Sequence, residues 1–267
     1  MNSEIQMVKD TYNGDVVMEW ERLLRHPVEY AITSRYIDRY IKPGDSVLDI
    51  GGGPGRYSVY LSEKGCDVTL FDLSDANIAF AEERAAEQGL SINTICGNAC
   101  IADALVNGVY DHVLLMGPLY HLPEETDRIK AVTAAMRLLK SSGLLFCAFI
   151  SSYAAVWDYL SRVPETILDD SQQKYFSLMS KDEDFSGISF TQTHFIRPKG
   201  VDVFMEQFGL EKLHLVGCEG ILALREKELV NESSDVLQKW IDFAYKLCER
   251  DDLISMSHHF LYVGRKK

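Results

Sequence analysis

A cluster of glycines directly after a short apolar segment is the feature that most constrains the fold of this chain. Residues 47–50 are Val-Leu-Asp-Ile, and glycines follow at positions 51, 53 and 55. A short apolar run bounded by glycines is typical of a buried strand, and glycine adopts positive φ angles in the following turn at little cost. Without a Cβ atom, such a turn can also approach a ligand closely. The pattern predicts a strand, a ligand-binding turn and a helix that begins near Arg56.

An acidic residue stands where a ribose-binding carboxylate is expected. Asp72 closes the next apolar run and lies 21 residues beyond Gly51, close to the roughly 20 residues that separate turn and acid in dinucleotide-binding folds. A dinucleotide site would need its third glycine at position 56, which is Arg56 here, and Asp49 would bring a negative charge near a pyrophosphate. The spacing therefore favours a nucleoside cofactor without a phosphate and disfavours an NAD-dependent oxidoreductase.

The residues Asp49, Gly51, Gly53 and Gly55 match a known motif, an acid followed by one residue and then G-x-G-x-G. Together with Asp72, this motif resembles the class I S-adenosylmethionine-dependent methyltransferases, in particular the small-molecule enzymes similar to methyltransferase type 11. The resemblance covers residues 41–150 and the C-terminal strand pair. It implies S-adenosyl-L-methionine as the cofactor and S-adenosyl-L-homocysteine as the product.

The resemblance also implies a role for each residue of the cofactor site, which we state as hypotheses. Asp49 supports the amino group of the methionine part, Asp72 holds the ribose hydroxyls, and Leu73 lies along the adenine. The alternatives are that Asp49 caps a turn and that Asp72 interacts with the dipole of the helix that begins after Ser74. Asn98 stands where the family has an acid that binds the adenine amino group, and it keeps a carbonyl acceptor; an ordinary turn asparagine is the alternative. The expected cofactor residues are Tyr12, Asp49, Gly51, Gly52, Gly53, Gly55, Asp72, Leu73, Asn98, Ala99 and Met116.

The end of the fourth predicted strand is expected to form the catalytic edge. Residues 116–121 have the sequence MGPLYH, and the resemblance implies that Tyr120 and His121 face the incoming nucleophile. Methyl transfer is an in-line displacement at a sulfonium, so the protein gains most by aligning the reactants in a dry aromatic pocket. If the acceptor is a hydroxyl or an ammonium group, His121 or His26 could remove its proton. A structural, hydrogen-bonded histidine is the more frequent alternative.

Hydrophobic periodicity predicts an α/β fold in which strands alternate with helices. The alternation indicates a Rossmann-like, doubly wound and mostly parallel sheet of seven strands with helices on both faces. Ser74 is the expected N-cap of the second core helix, and Gly143 is expected to end the helix that follows Pro123. The strands are expected at 46–50, 67–71, 92–96, 112–116, 144–150, 210–216 and 259–263.

Two segments fall outside this alternation and are predicted to form the acceptor chamber. Residues 1–43 are helical in pattern and rich in aromatic side chains, and residues 151–197 interrupt the core after the fifth strand. The resemblance implies that such segments close over the cofactor and select the acceptor. We therefore expect an N-terminal helical cap at 1–43, a cofactor-binding core at 44–150, a substrate-cap insertion at 151–197 and the remaining core at 198–267. Within the cap, Glu19, Trp20 and Arg22 are candidates to reach the active site, and for Trp20 a place in the core is the favoured alternative.

Charge and cysteine content limit the other functions. The 267 residues carry a formal net charge of −13, which disfavours a nucleic-acid partner because binding to a polyanion depends on clustered cations. No apolar run approaches membrane-spanning length and no signal sequence is evident, so we expect a cytoplasmic protein without a membrane partner. The six cysteines form no C-x-x-C pair, and neither a disulfide framework nor a metal site is predicted.

Three functions remain open from the sequence. The first is a methyltransferase that acts on an oxygen, nitrogen, carbon or metalloid atom of a small molecule. The second is the NAD-dependent oxidoreductase, and the third is a protein that binds S-adenosylmethionine or a related nucleoside without catalysis. The identity of the acceptor and the oligomeric state are open as well.

Overall fold

The computed structural model describes residues 3–267, with side chains from residue 5 onward, and the first two residues of the predicted 1–43 segment lie outside it. The described strands form one mixed sheet in the order β3-β2-β1-β4-β5-β7-β6, and β9 pairs with both β5 and β8. The strands are β1 (Ser46–Ile50), β2 (Asp67–Asp72), β3 (Asn93–Cys96), β4 (Tyr110–Leu115), β5 (Leu139–Ser151), β6 (Phe185–Ile188), β7 (Gln192–Ile196), β8 (Glu211–Gly217) and β9 (His259–Arg265).

Strand β1 lies at the point where the strand order reverses. It pairs in parallel with β2 on one side and with β4 on the other, so that Ile50 stands opposite both Phe71 and Leu115. In open α/β sheets a crevice forms beyond the carboxyl ends of the strands at such a switch point. The glycine-rich turn that follows Ile50 therefore enters that crevice.

Helices cover both faces of the sheet, as two separate hydrophobic clusters show. One cluster takes its helical residues mainly from α7 and α10, and the other from α3, α4 and α12. The predicted Rossmann-like α/β fold is thus confirmed. The helices are α1 (Ser3–Gly14), α2 (Val16–Arg25), α3 (Pro27–Tyr40), α4 (Arg56–Glu63), α5 (Asp75–Glu87), α6 (Ala102–Leu105), α7 (Glu125–Leu138), α8 (Ala154–Arg162), α9 (Gln173–Ser180), α10 (Pro198–Glu206), α11 (Glu226–Leu229) and α12 (Ser234–Tyr245).

The sheet is larger than predicted, with nine strands in the described residues where the sequence analysis expected seven. The additional strands β6 and β7 come from the 151–197 segment, and they form an antiparallel hairpin. Strand β7 then pairs in parallel with the end of β5, where Ile150 stands opposite Phe195. The hairpin is short and its pairing with β5 is long-range, so local periodicity gives only a weak signal for it.

The predicted end of helix α7 at Gly143 is wrong. The helix ends at Leu138, and β5 begins at Leu139 and includes Gly143. A Cβ atom at Gly143 would lie 2.7 Å from the backbone oxygen of Asp111 in β4. This glycine therefore allows β5 to lie close to the neighbouring strand β4. No helix among residues 3–267 is long and apolar enough to cross a membrane.

Candidate active site

A cleft of about 1060 Å³, including its open mouth, lies at the carboxyl ends of the central strands. Its walls come from the turns after β1, β3 and β4, from the end of β2, and from the N-terminal helices α1 and α2. The expected cofactor residues that line it are Tyr12, Asp49, Gly51, Gly52, Gly53, Asp72, Leu73, Asn98, Ala99 and Met116. Residues that are far apart in the sequence therefore converge on one cavity, as a nucleoside site requires.

The glycine turn depends on the absence of side chains. Gly51 has a φ of +73°, and a Cβ atom there would lie 2.3 Å from Cδ of Pro118 in the turn after β4. A Cβ atom at Gly52 would lie 2.4 Å from Oδ2 of Asp49. Larger residues at either position would displace one of the two turns that form the floor of the cleft.

Gly55 does not line the cleft, in contrast to the expectation. It is the N-cap of α4 with a φ of +83°, and an added Cβ would lie 2.8 Å from Cβ of Ala81 in α5. Its small size therefore allows α4 to pack against α5. The residue contributes to the site indirectly, through the position of the turn.

Asp49 places an unpaired carboxylate oxygen inside the protein. The residue is 1% exposed, and Ser58 Oγ donates a hydrogen bond to Oδ2 at 2.8 Å, but buried Oδ1 has no partner among the described residues. Burial raises the pKa of Asp49 to about 7, against the opposing effect of the Ser58 hydrogen bond. A buried acceptor without a partner is unfavourable, and the ammonium group of a bound amino acid moiety would satisfy it. The residues present thus fit the methionine end of S-adenosylmethionine.

Asp72 joins the glycine turn to the start of α5. Its Oδ2 accepts a hydrogen bond from the backbone N–H of Gly53 at 2.9 Å, and Oδ1 accepts from Ser74 and Asn77 at 2.9 and 3.2 Å. Burial raises the pKa of Asp72 despite these hydrogen bonds. An ionised carboxylate can accept about four hydrogen bonds, so the three present leave capacity for a ribose hydroxyl.

Asn98 occupies the turn after β3, as expected, but its side chain has a local partner. Its Oδ1 accepts a hydrogen bond from the backbone N–H of Cys100 at 2.9 Å and caps a short 3-10 helix. This geometry matches the alternative of a turn asparagine. An interaction with adenine would have to use the second lone pair of Oδ1 or the side-chain N–H groups.

Tyr12 and His121 form a hydrogen-bonded pair across the cleft. The Tyr12 hydroxyl lies 2.6 Å from His121 Nε2, and His121 Nδ1 lies 3.1 Å from the backbone oxygen of Gln192. Because a carbonyl can only accept, we assign the proton to Nδ1, and Nε2 then accepts from Tyr12. Burial lowers the pKa of His121 to about 4. A neutral imidazole with its lone pair already engaged is a weak general base.

The other candidate catalytic residues have different positions. Tyr120 lines the cleft, and its hydroxyl donates to the backbone oxygen of Met116 at 3.1 Å. His26 is not among the lining residues; it lies at the junction of α2 and α3, where its Nδ1 is 3.0 Å from a carboxylate oxygen of Glu226. The structure therefore does not bring His26 together with the rest of the site.

A network of charged groups borders the cleft. Arg22 lines the cavity, and its guanidinium donates to Glu19 at 2.9 Å and to both oxygens of Glu29 at 2.7 and 3.3 Å. Glu29 also lies 3.5 Å from His259 Nδ1, which is 2.5 Å from Glu219. The sequence analysis missed Glu29, Glu219 and His259, since their pairing joins the two ends of the chain and leaves no local pattern.

The charges of this network compensate one another. Burial alone would raise the pKa of Glu29, but Arg22 and His259 lower it to about 2. Burial would likewise lower the pKa of His259, but Glu29 and Glu219 raise it to about 9. The ligand atoms of Glu29, Glu219 and His259 lie within 4.8 Å of one another, a spacing that could suit a metal ion. Arg22 and the His259 proton already occupy these acceptors. We therefore interpret the three residues as part of an ion-pair network and not as a metal site.

Comparison with known proteins gives consistent results. Residues 47–143 match a family model described as a methyltransferase domain. A ubiquinone biosynthesis O-methyltransferase of Coxiella burnetii is 30% identical over 184 residues, which cover 68% of this chain and 71% of the relative. A glycine/sarcosine N-methyltransferase of Parasynechococcus marenigrum is 28% identical over 145 residues, 53% of this chain and 51% of that protein.

Solved structures agree on the fold. The magnesium protoporphyrin IX methyltransferase of Synechocystis PCC 6803, crystallised with S-adenosylhomocysteine, superposes with a TM-score of 0.60 at 13% identity and covers 99% of this chain and 100% of its own. An S-adenosylmethionine-dependent methyltransferase from Clostridium acetobutylicum gives the same TM-score and identity over 94% and 97% of the two chains. The sequence match, the fold and the residues of the cleft all favour a methyltransferase over the dinucleotide-binding alternative. The chain belongs to the class I S-adenosylmethionine-dependent methyltransferases.

Proposed function

We propose that this enzyme transfers the methyl group of S-adenosylmethionine to the oxygen of an acidic hydroxyl, such as a phenol, on a small molecule. The bound cofactor supplies an electrophilic methyl group on a sulfonium. In this proposal Asp49 accepts hydrogen bonds from the cofactor amino group, and Asp72 accepts them from the ribose. The glycine turn lets the cofactor lie in direct contact with the main chain. The predicted caps at 1–43 and 151–197 enclose the acceptor.

The observation that carries the proposal is the position of Arg22 in the cleft, next to Glu19 and among aromatic and apolar side chains. Tyr12, Leu23, Tyr57 and Tyr120 line the cavity together with Arg22. The guanidinium donates three hydrogen bonds to Glu19 and Glu29, which leaves two of its five N–H groups free. Burial opposes its charge, but Glu29 and Glu19 outweigh burial and raise the pKa of Arg22, so it stays cationic.

The two free N–H groups of Arg22 would donate charge-assisted hydrogen bonds to an ionised oxygen nucleophile. Such an acceptor can lose its proton without a strong protein base, which agrees with a His121 pKa of about 4. We therefore assign His121 and Tyr12 to positioning, and we expect the faces of the tyrosine rings to stabilise the sulfonium by roughly 0.5–2 kcal/mol. The name of the Coxiella burnetii relative, an O-methyltransferase, supports an oxygen acceptor.

An amine is the second candidate acceptor, because Glu19 also places a carboxylate in this part of the cleft. The N-methyltransferase relative, which covers 53% of this chain, supports this candidate. A protein that binds the cofactor without catalysis is the remaining alternative outcome of the test below.

The test uses mass spectrometry to follow methyl transfer from isotopically labelled S-adenosylmethionine to matched phenols and anilines. We expect labelled methyl ethers from the phenols. Arg22→Gln should reduce kcat/KM strongly near neutral pH and much less at a pH where the free phenol is ionised, while Arg25→Gln on the exposed side of α2 should not. Calorimetric binding of S-adenosylmethionine checks that each variant is folded. Transfer to anilines alone would overturn the oxygen assignment, and tight binding without any transfer would support the binding-only alternative.

A further inference from the structure

Helix α12 carries a wide apolar stripe, of which only one part is buried. Ile241 and Ala244 are each 3% exposed and pack into the core with Leu237. Beside them on the same stripe, Trp240 and Phe243 are 43% and 47% exposed, and their ring centroids lie 6.2 Å apart. The apolar stripe of a helix is normally covered by the rest of the protein or by a partner.

The exposed side of α12 has the composition of an interface centre. Val236, Lys239, Trp240 and Phe243 line a shallow groove along the helix. Tryptophan and other aromatic residues are enriched in such centres and contribute most of the binding energy there. Adjacent exposed apolar side chains on one helix mark a candidate interaction surface. We call these four residues the α12 face.

We propose that the α12 face binds the same face of a second copy of this chain, with the two α12 helices antiparallel. In this arrangement Trp240 packs against Trp240 of the second copy, and Val236 packs against Phe243. The Trp240 pair lies on the two-fold axis and forms once, and the Val236–Phe243 pair forms twice because a two-fold interface is self-complementary. The exposed part of the apolar stripe would then be buried against an identical one.

The charges beside the apolar groove support the antiparallel orientation. With Trp240 at the centre, Lys246 comes opposite Asp235 of the second copy, and Lys239 comes opposite Asp242; all four residues are exposed. Lys246 and Asp235 lie on the same flank of α12, and that flank faces its own copy in an antiparallel pair but not in a parallel one. The sequence of α12 therefore complements itself in one orientation and not in the other. Asp242 also binds Arg35 at 2.5 Å within the chain, so the Lys246 and Asp235 pair is the better one to test.

Sedimentation velocity of the full chain at increasing protein concentration tests the proposal. The wild type should shift from monomer towards dimer as the concentration rises, and Trp240→Glu should raise the dissociation constant about tenfold or more. Val203→Glu on α10 is the matched control, because Val203 is 70% exposed and lies outside the α12 face, and it should leave the dimer intact. Circular dichroism melting checks that each variant is folded.

A charge exchange tests the orientation separately. Lys246→Glu and Asp235→Lys should each weaken the dimer several-fold, and the double variant should regain most of the loss. A protein that stays monomeric at all concentrations would overturn the proposal, as would a dimer that is insensitive to Trp240→Glu. A dimer that is lost with Trp240→Glu but is not restored by the double exchange would overturn the antiparallel arrangement.

Discussion

Replacing Asp49 with asparagine should raise the free energy of unfolding of the free protein and lower its affinity for the cofactor. The carboxyl group is buried, and burial raises its pKa to about 7 from an ordinary value of 3.8. Because the folded-state pKa is raised, the stabilising contribution of the protonated group is complete below about pH 3.8 and is lost as the pH rises through 7. Asparagine keeps the shape of the side chain but cannot ionise.

The size of the effect follows from the two pKa values. The gap between about 7 and 3.8 corresponds to roughly 4 kcal/mol in the free energy of unfolding, at about 1.4 kcal/mol per pKa unit. The free Asp49→Asn variant should thus be more stable than the wild type by up to this amount above neutral pH, and similar to it under acidic conditions. Its affinity for S-adenosylmethionine should fall about tenfold to a hundredfold, because a charge-assisted hydrogen bond contributes roughly 1.5–3 kcal/mol.

Urea unfolding of the free protein across this pH range, with calorimetric titration of S-adenosylmethionine, measures both quantities. Asp251→Asn, at an exposed acid, is the control and should change neither. The reasoning is refuted if the stability difference between variant and wild type does not depend on pH. Unchanged affinity for the cofactor in Asp49→Asn would separately refute the role of the unpaired oxygen.

Three further predictions concern the turn, the cover of the cleft and the ion network. Gly51→Ala should abolish cofactor binding, because the added Cβ would lie 2.3 Å from a ring carbon of Pro118. The control Gly89→Ala, where φ is +69° and no atom lies within 4 Å of the added Cβ, should only lower the free energy of unfolding, by roughly 1–2 kcal/mol. Equal cofactor binding by the two variants in calorimetry would contradict this. Tyr12→Phe removes the hydrogen bond that joins α1 to His121, which contributes roughly 1 kcal/mol, and should weaken S-adenosylmethionine binding up to about fivefold because α1 then covers the cleft less firmly; an unchanged dissociation constant would argue against this coupling. The imidazole of His259 should titrate near pH 9 by NMR. Its protonated form should add about 3 kcal/mol to the free energy of unfolding below pH 6.5, and this contribution should be lost as the pH rises through 9. A titration midpoint at or below pH 6.5 would exclude the network.

The elements that sequence analysis predicted well are those with strong local signals. Strand β1 has the predicted bounds Ser46–Ile50, because an apolar run followed by glycines leaves few alternatives. Ser74 is the N-cap of α5, and its hydroxyl accepts from the backbone N–H of Asn77 at 3.0 Å, as its position before the helical pattern indicated. These signals depend on neighbouring residues only.

The features that were missed depend on contacts between distant parts of the chain. Gly143 has the usual pattern of a helix end, but the close approach of Asp111 places it inside β5. His26 resembles a candidate base by residue type alone, and its partner Glu226 is 200 residues away. The buried network of Glu29 and His259 is equally non-local. Sequence patterns predict an element from its own residues, whereas such partners are set by tertiary packing.

Helix α1 and the β6–β7 hairpin, which both contact His121 at the edge of the cleft, are attached with unequal strength. The β6–β7 hairpin shares main-chain hydrogen bonds with β5, so it moves with the sheet. Helix α1 is held by individual side-chain contacts, among them Tyr12 to His121 at 2.6 Å, Lys9 to Asp75 at 2.7 Å and Asn13 to Ser74 at 2.6 Å. Because α1, as far as the structure describes it, has no main-chain hydrogen bonds to the sheet whereas the hairpin does, we expect the N-terminal helix to detach at a lower free energy than the hairpin. Entry of cofactor and exit of product are thus expected on the α1 side.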